Sequence, residues 1–257
     1  MDPVWLGFLA SFLAGSATGF GALPVFFGKS VSQRWNDGLL GFAAGVMLAA
    51  SFFSLIIPGL EQANTIYGGH YTPALIAVSG VVLGVAFVAA LNELLPHEHF
   101  VVGRQGPASH QLARIWLFVI AITIHNLPEG LAVGVGFGGG DVAGGATLAV
   151  GIGLQNAPEG LAVALALFSC GYSRAYAFVV ASLTGLVEPI AGLFGAYVVS
   201  LSELILPWAL TSAAGAMVYV IIHEIIPETH QRGFENEATF GITIGLVVMM
   251  FLDVVFG

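Results

Sequence analysis

Two short segments of the chain, 125–130 and 155–160, place imidazole, amide and carboxylate side chains at helical spacing. Positions i, i+1 and i+4 of a helix lie within one face, so three side chains from each segment can converge on one point. These side chains are His125, Asn126 and Glu129 in the first segment and Gln155, Asn156 and Glu159 in the second. Nitrogen and oxygen ligands of this kind suit Zn²⁺, Fe²⁺, Mn²⁺, Co²⁺ or Cd²⁺ more than Cu⁺. The pattern predicts a divalent-metal site.

The two segments are copies of one internal repeat. Aligning 125–135 with 155–165 matches the Asn, Pro, Glu, Gly, Leu, Ala and Val positions. Because consecutive membrane helices run in opposite directions, the copies are antiparallel, which is typical of inverted-repeat transporters that bind substrate between the repeats near the bilayer midplane.

A third carboxylate, Glu188, precedes Pro189 at a comparable depth in a later apolar segment. Each ionisable side chain at the bilayer centre costs about 2.5–3.5 kcal/mol, so a cluster of them indicates function. No lysine or arginine lies near the middle of an apolar segment, and three buried carboxylates need positive charge from a metal or from protons. The alternative is a hydrogen-bonded polar network that only holds the helices together.

Composition places these side chains in a membrane. Of the 257 residues, 57% are hydrophobic and 8% are charged, with a mean hydropathy of +0.93, whereas soluble domains carry about 25% charged residues. Windows of about 20 apolar residues predict membrane helices. We therefore predict an all-α membrane protein with eight transmembrane helices in a single domain, a 3+2+3 inverted-repeat transporter bundle. The predicted spans 1 to 8 are 4–27, 38–60, 73–95, 112–137, 144–168, 175–200, 207–227 and 238–256.

The basic residues predict the orientation, because Lys and Arg accumulate in cytoplasmic connectors. All six follow odd-numbered spans: Lys29, Arg34, Arg104, Arg114, Arg174 and Arg232. Both termini are therefore predicted to be extracytoplasmic. The net charge of −9 favours cations over nucleic acid as a partner.

A second set of metal-capable side chains lies at the predicted cytoplasmic ends of spans 3 and 7. Its members are Glu93, His97, His99, His223, Glu224 and Glu228. Interfacial His and Glu side chains can also be solvated end caps, and that alternative stays open for this set.

With these residues assembled, the sequence resembles the ZIP family of divalent-metal transporters, in particular its bacterial GufA-like branch. The resemblance is close to full length and rests on the two repeat segments, on Gly-Leu-Val-Glu-Pro at 185–189 and on His-Glu-Ile-Ile-Pro-Glu-Thr-His at 223–230. It implies eight helices, a cytoplasmic histidine-bearing connector at 96–111 and a bacterial inner-membrane location. It also implies an elevator-like movement of spans 1, 4, 5 and 6 past spans 2, 3, 7 and 8, and is compatible with a homodimer.

The resemblance assigns roles to individual residues. It implies that a principal metal is surrounded by His125, Glu129, Gln155, Glu159 and Glu188. It implies that an adjacent metal is surrounded by Asn126, Asn156, Glu129 and Glu159. Some close relatives carry aspartate where this chain has Asn156, so the adjacent position lacks one charge. The second set, described above, becomes a cytoplasmic exit or sensing relay.

The function predicted from the sequence is uptake of a divalent transition metal, zinc first, with Cd²⁺ as a surrogate, and no cofactor beyond this transported ion. One alternative is a metal-selective channel, which would hold the ion weakly enough for rapid conduction. The other is an intramembrane metalloprotease, prompted by His223 and Glu224. That alternative lacks the second histidine of an H-E-x-x-H motif, because position 227 is proline.

Overall fold

The fold is described from a computed structural model, which covers residues 2–27, 32–94, 97–99, 103–105, 114–230 and 233–257. The side chains of residues 97–99, 103–105, 114, 115, 117 and 118 lie outside the described residues, as do most of the predicted connector 96–111 and the basic residues Lys29 and Arg232. Within the described ranges, eight helices are long and apolar enough to cross a membrane. An even number of spans puts both termini on the same side of the membrane.

The eight spans contain the following helices in chain order. Span 1 comprises Pro3–Ala22 and the 3₁₀ turn Leu23–Phe27, span 2 comprises Gln33–Ala49, the π-helix Ala50–Ile56 and Ile57–Tyr67, and span 3 is Thr72–Leu94. Span 4 is Arg114–Gly138 and span 5 is Val142–Ser169. Span 6 comprises Arg174–Gly185 and Val187–Leu201. Span 7 comprises the 3₁₀ turn Glu203–Ile205, Leu206–Val220, the π-helix Ile221–Ile225 and Ile226–Thr229, and span 8 is Glu235–Phe256.

Prolines explain the irregular turns in these spans. Both π-helices lie just before a proline, Pro58 in span 2 and Pro227 in span 7. Proline lacks an N–H and its ring crowds the carbonyl four residues earlier, so a wider turn relieves the clash. Span 6 is interrupted at Leu186, three residues before Pro189. Spans 4 and 5 continue as helices through Pro128 and Pro158.

The spans pack in two groups. Span 1 packs on spans 4, 5 and 6, which also pack on one another, and these four form the first group. Span 2 packs on span 8 and span 3 on span 7, with spans 2 and 7 joined through their central turns, and these four form the second group. Fully buried apolar side chains fill the space between the groups, including Met47, Leu148, Met217 and Met249.

Glycines bring the backbones close within each group. A Cβ on Gly160 of span 5 would lie 1.9 Å from the Thr18 carbonyl oxygen of span 1, and a Cβ on Gly45 would lie 2.0 Å from the Ile242 carbonyl oxygen of span 8. Small residues at such crossings permit van der Waals packing that no larger side chain allows. Between the groups the contact is different: a Cβ on Gly151 of span 5 would lie closest to side-chain atoms of Met249 in span 8. Backbone contacts therefore hold each group together, while flexible side chains line the surface between them.

The predicted all-α membrane fold is confirmed, with one addition and two changes of boundary. Strands β1 (His97–His99) and β2 (Gly103–Gln105) form an antiparallel hairpin in the connector between spans 3 and 4. Span 2 is longer than the predicted 38–60 and runs from Gln33 to Tyr67, because the helix continues beyond the charged Glu61. The predicted span 175–200 is two helices separated at Leu186.

Candidate metal site

Spans 4, 5 and 6 bring three carboxylates into the interior of the first group. Glu129 and Glu188 are fully buried, and Glu159 is nearly so. Glu159 interacts electrostatically with both of the others. Both oxygens of Glu159 and Oε2 of Glu188 have no hydrogen-bond partner among the described residues, and Gln155 interacts with the Glu129 carboxylate. Buried oxygens of this kind are costly unless a cation or proton satisfies them.

Glu188 occupies the first turn of the second helix of span 6. The break at Leu186 creates a helix start at this depth, where unpaired backbone N–H groups give a partial positive charge. Pro189 is tolerated in the first turn, since its missing N–H would have no intrahelical acceptor there. The break thus provides a favourable position for a buried carboxylate.

His125 joins the first group to the second. Its Nδ1 lies 3.0 Å from the Ala121 carbonyl oxygen, one turn back in span 4. Its Nε2 lies 2.8 Å from Oε2 of Glu224, which belongs to span 7. A carbonyl only accepts, so Nδ1 carries a hydrogen, and Nε2 forms an ion pair with the Glu224 carboxylate when the imidazole is protonated. The nitrogen suited to metal binding is therefore engaged by Glu224 in this conformation.

Glu224 lies against His125 of the principal site, whereas the sequence analysis placed it in a separate cytoplasmic set. It is only 2% exposed. The π-helix Ile221–Ile225 contains it, and the wider turn changes the direction of its side chain relative to a regular helix. The sequence spacing gave no indication of this contact, because 99 positions separate the two residues.

Asn92 extends this contact into span 3 and was not among the predicted site residues. Its Nδ2 donates a hydrogen bond to Oε1 of Glu224 over 2.8 Å, and the residue is buried. Nearby in span 7, the Tyr219 and His223 rings stack with centroids 4.9 Å apart. A polar side chain in the last turn of an apolar span was the signal available in the sequence.

The two repeat asparagines have different surroundings. Asn156 Nδ2 donates to the Ala14 carbonyl oxygen at 2.9 Å and to Glu188 Oε1 at 2.7 Å, and its Oδ1 accepts from Gln155 Nε2 at 3.0 Å. Neither amide atom of Asn126 has a hydrogen-bond partner among the described residues, although the residue is fully buried. The repeat is therefore symmetric in sequence and asymmetric in hydrogen bonding.

The predicted ligands surround one region without forming a closed coordination shell. In the part of the chain that is described, no three His, Cys, Asp or Glu side chains are grouped closely enough to hold an ion among themselves. His125 and Glu159 do interact electrostatically, as do Glu129 and Glu188. Side-chain rotations that draw these groups together, and that release His125 from Glu224, would complete an oxygen-rich site with one nitrogen.

The remaining members of the second set differ in burial. Glu228 is buried, His223 is partly buried and Glu93 is exposed. His97 and His99 lie on strand β1, and their side chains fall outside the described residues. Glu224 differs from these residues in reaching the principal site, through its contact with His125.

Eight membrane spans around buried carboxylates define an integral, multi-pass membrane protein suited to handling cations. The profile of the ZIP zinc transporter family matches residues 98–253. The chain belongs to the ZIP family. This membership confirms the resemblance recognised in the sequence and the prediction of a transporter rather than an enzyme, so the metalloprotease alternative is set aside.

Similar proteins extend over nearly the whole chain. Zinc transporter GufA of Myxococcus xanthus is 46% identical over 253 residues, covering 98% of this chain and 99% of that protein. Zinc transporter ZIPB of Bordetella bronchiseptica is 47% identical over 242 residues, covering 94% and 78% respectively. Zinc transporter ZIP11 of Homo sapiens is 38% identical, with 100% and 98% covered.

Proposed function

We propose that this chain carries divalent transition-metal ions into the cytoplasm, with zinc as the first candidate, through the site on spans 4, 5 and 6. The observation that carries the proposal is the cluster of three buried carboxylates, Glu129, Glu159 and Glu188, in which both oxygens of Glu159 and Oε2 of Glu188 have no hydrogen-bond partner among the described residues. A divalent ion would satisfy these oxygens and offset the mutual repulsion of the carboxylates. Zinc is favoured by the names of the relatives, while Cd²⁺, Fe²⁺, Mn²⁺ and Co²⁺ suit the same ligand types.

The transported ion exchanges its hydration water for protein ligands one at a time. Ligands with oxygen atoms available in the described conformation are Asn126, Glu129, Gln155, Glu159 and Glu188. His125 becomes available once Nε2 leaves Glu224. Because ligands must be deprotonated to bind, Nε2 of His125 binds the ion only when it carries no proton.

Loss of the His125–Glu224 contact also removes a bond between the two groups of spans. We propose that the first group then moves as a rigid body past the second, carrying the ion in an elevator-type alternating-access cycle. Support comes from the packing: backbone contacts at glycines such as Gly160 join spans within a group, and the Met249 side chain of the second group packs on Gly151 of the first. Methionine adapts to changing neighbours more readily than branched side chains do.

We propose that the ion is released to the cytoplasm along residues of span 7. Glu224 is the carboxylate that His125 contacts on the second group, and it is the first acceptor for the departing ion. His223 precedes it in the chain, and Glu93, Glu228, His97 and His99 complete the proposed exit relay. Each transfer between ligands of similar strength keeps the ion mobile, as a carrier requires.

Uptake of Zn²⁺ and Cd²⁺ into proteoliposomes loaded with a fluorescent metal indicator tests the proposal. Saturable influx that falls at least about tenfold in Glu129→Ala and in His125→Ala is expected, since each change removes a ligand. Glu235→Ala, an exposed carboxylate at the start of span 8, is the matched control and should transport normally.

Two results would contradict the proposal. Influx that is unchanged by both site substitutions in folded protein would leave the polar residues as a network that only holds the helices together. Influx that rises linearly with external metal, without saturation, would favour the channel alternative, in which the ion is bound too weakly to limit the flux.

A further inference from the structure

Asn156 differs from its repeat counterpart Asn126 in how its polar atoms are used. The hydrogen bonds of Asn156 run to protein groups: the Ala14 carbonyl of span 1, Glu188 of span 6 and its neighbour Gln155. Asn126 has an equally buried amide, with no hydrogen-bond partner for either atom among the described residues.

The orientation of the Asn156 amide is fixed by chemistry. A backbone carbonyl can only accept a hydrogen bond, so the atom 2.9 Å from Ala14 O must be the NH₂ nitrogen. The same nitrogen lies 2.7 Å from Glu188 Oε1. The Ala14 carbonyl oxygen and Glu188 Oε1 therefore both accept hydrogen bonds from this one NH₂ group. A cation that contacted the same two oxygens would have to take the place of the NH₂ group.

We infer that Asn156 is a positioning residue, which fixes Glu188 and ties span 5 to span 1, and that the site consequently binds a single divalent ion. The amide nitrogen has no lone pair to offer a metal, and the amide oxygen already accepts a hydrogen bond from Gln155. Glu188 keeps Oε2 available for the ion while Oε1 is held. Of the two repeat asparagines, Asn126 is the ligand, because its oxygen is not engaged by a described residue.

The single-ion part of this inference rests on the proposed function, whereas the positioning role does not. A positioning residue contributes to the fold with no metal present, but a ligand contributes only when the metal is bound. Asn126→Ala and Asn156→Ala therefore form a matched pair of substitutions at equivalent repeat positions. The purified full chain in lipid nanodiscs is suitable for both measurements that follow.

The first measurement is the unfolding temperature of the metal-free protein. Asn156→Ala leaves Glu188 Oε1 and the Ala14 carbonyl without their donor, and we expect a fall of about 5 °C or more. Asn126→Ala removes an amide without hydrogen bonds to described residues, and we expect no fall. Equal unfolding temperatures for Asn156→Ala and the unaltered chain would overturn the positioning role, whether or not the protein transports metal.

The second measurement is cadmium binding, by equilibrium dialysis and by X-ray absorption at the cadmium edge. We expect one Cd²⁺ per unaltered chain at saturation. Asn126→Ala should lose one oxygen from the coordination shell, and Asn156→Ala should keep the same shell. Two ions bound by the unaltered chain, or an oxygen lost in Asn156→Ala, would overturn the inference.

Asn156→Asp tests the position if the alanine variant fails to fold. This change places only acceptor oxygens at Ala14, Glu188 and position 156. A bound cation would relieve the repulsion between these oxygens. We expect a lower metal-free unfolding temperature and a larger rise on adding Cd²⁺ than in the unaltered chain. If neither effect is observed, the Asn156 amide does not fix Glu188 or tie span 5 to span 1, and the inference is wrong.

Discussion

Nε2 of His125 on span 4 lies 2.8 Å from Oε2 of Glu224 on span 7, and both side chains are almost completely buried. The contact crosses the boundary between the two groups of spans. It also engages the one imidazole nitrogen that can bind a metal, because the other faces a backbone carbonyl. In the proposed transport cycle, binding of an ion at His125 and release of the two groups from each other are therefore the same event.

Replacing Glu224 by glutamine should separate binding from transport. A neutral amide competes less strongly than a carboxylate for His125, so the KM for Zn²⁺ uptake is expected to fall severalfold. The maximum rate is expected to fall about tenfold or more, because the departing ion loses its first carboxylate acceptor. Initial rates across external zinc concentrations measure both quantities. A raised KM with an unchanged maximum rate would mean that Glu224 is instead a ligand for binding from outside.

Neutralising a carboxylate of the site should remove most of the stability that the protein gains when it binds metal. Glu129→Gln removes a buried charge that interacts with Glu159 and Glu188, so the unfolding temperature of the metal-free protein should stay the same or rise. In the unaltered chain, Cd²⁺ at 100 times its Kd should add about 2.7 kcal/mol of stability. Most of that gain should be lost in Glu129→Gln and kept in Glu235→Gln, as thermal unfolding with and without Cd²⁺ will show.

Small residues at the crossing of spans 1 and 5 should be essential for folding of the first group. A Cβ on Gly160 would lie 1.9 Å from the Thr18 carbonyl oxygen, while the nearest atom to a Cβ on Gly153 of the same span is at 3.7 Å. Gly160→Ala is therefore expected to cost about 1–3 kcal/mol of stability, and Gly153→Ala close to none. Equal unfolding temperatures for the two variants would contradict the close packing of these backbones.

Cross-linking should distinguish movement between groups from movement within one. A Cβ on Gly139 would lie 2.8 Å from the Leu206 side chain, across the two groups, whereas the Phe26 and Phe178 rings have centroids 5.2 Å apart within the first group. In a Cys170→Ser background, bridging cysteines at 139 and 206 with a short reducible cross-linker should stop uptake until the link is reduced. Bridging positions 26 and 178 should leave uptake nearly unchanged. Normal uptake with the first pair cross-linked would exclude sliding of one group past the other.

The sequence predicted the spans, and it predicted that the polar residues of spans 4, 5 and 6 lie close together, because both depend on local spacing. Apolar length indicated eight spans, and the repeated Asn-x-Pro-Glu-Gly pattern brought Glu129 and Glu159 into the same site. Contacts between spans distant in sequence could not be read in this way. Glu224 reaches His125 through a π-helix, and Asn92 joins it from the end of span 3.

The hydrogen-bond partners of the repeat residues also could not be predicted from their spacing in the sequence. Asn126 and Asn156 occupy equivalent repeat positions, yet Asn156 faces a backbone carbonyl of span 1 and Asn126 has no partner among the described residues. The break in span 6 had a visible cause in Pro189, but a proline in the same kind of motif leaves spans 4 and 5 unbroken. Packing of the surrounding helices decides between these outcomes.

Counterflow tests the central claim, that the buried carboxylates carry the ion in alternation between two sides, most directly. Proteoliposomes are loaded with unlabelled zinc and diluted into a trace of radioactive zinc, and accumulation of the label inside is followed with time. A carrier exchanges bound ions across the membrane, so a transient accumulation of label above the level in unloaded vesicles is predicted, with its loss in Glu129→Gln and its retention in Glu235→Gln. Label that enters no faster in loaded than in unloaded vesicles, or an equal response from Glu129→Gln, would contradict the account.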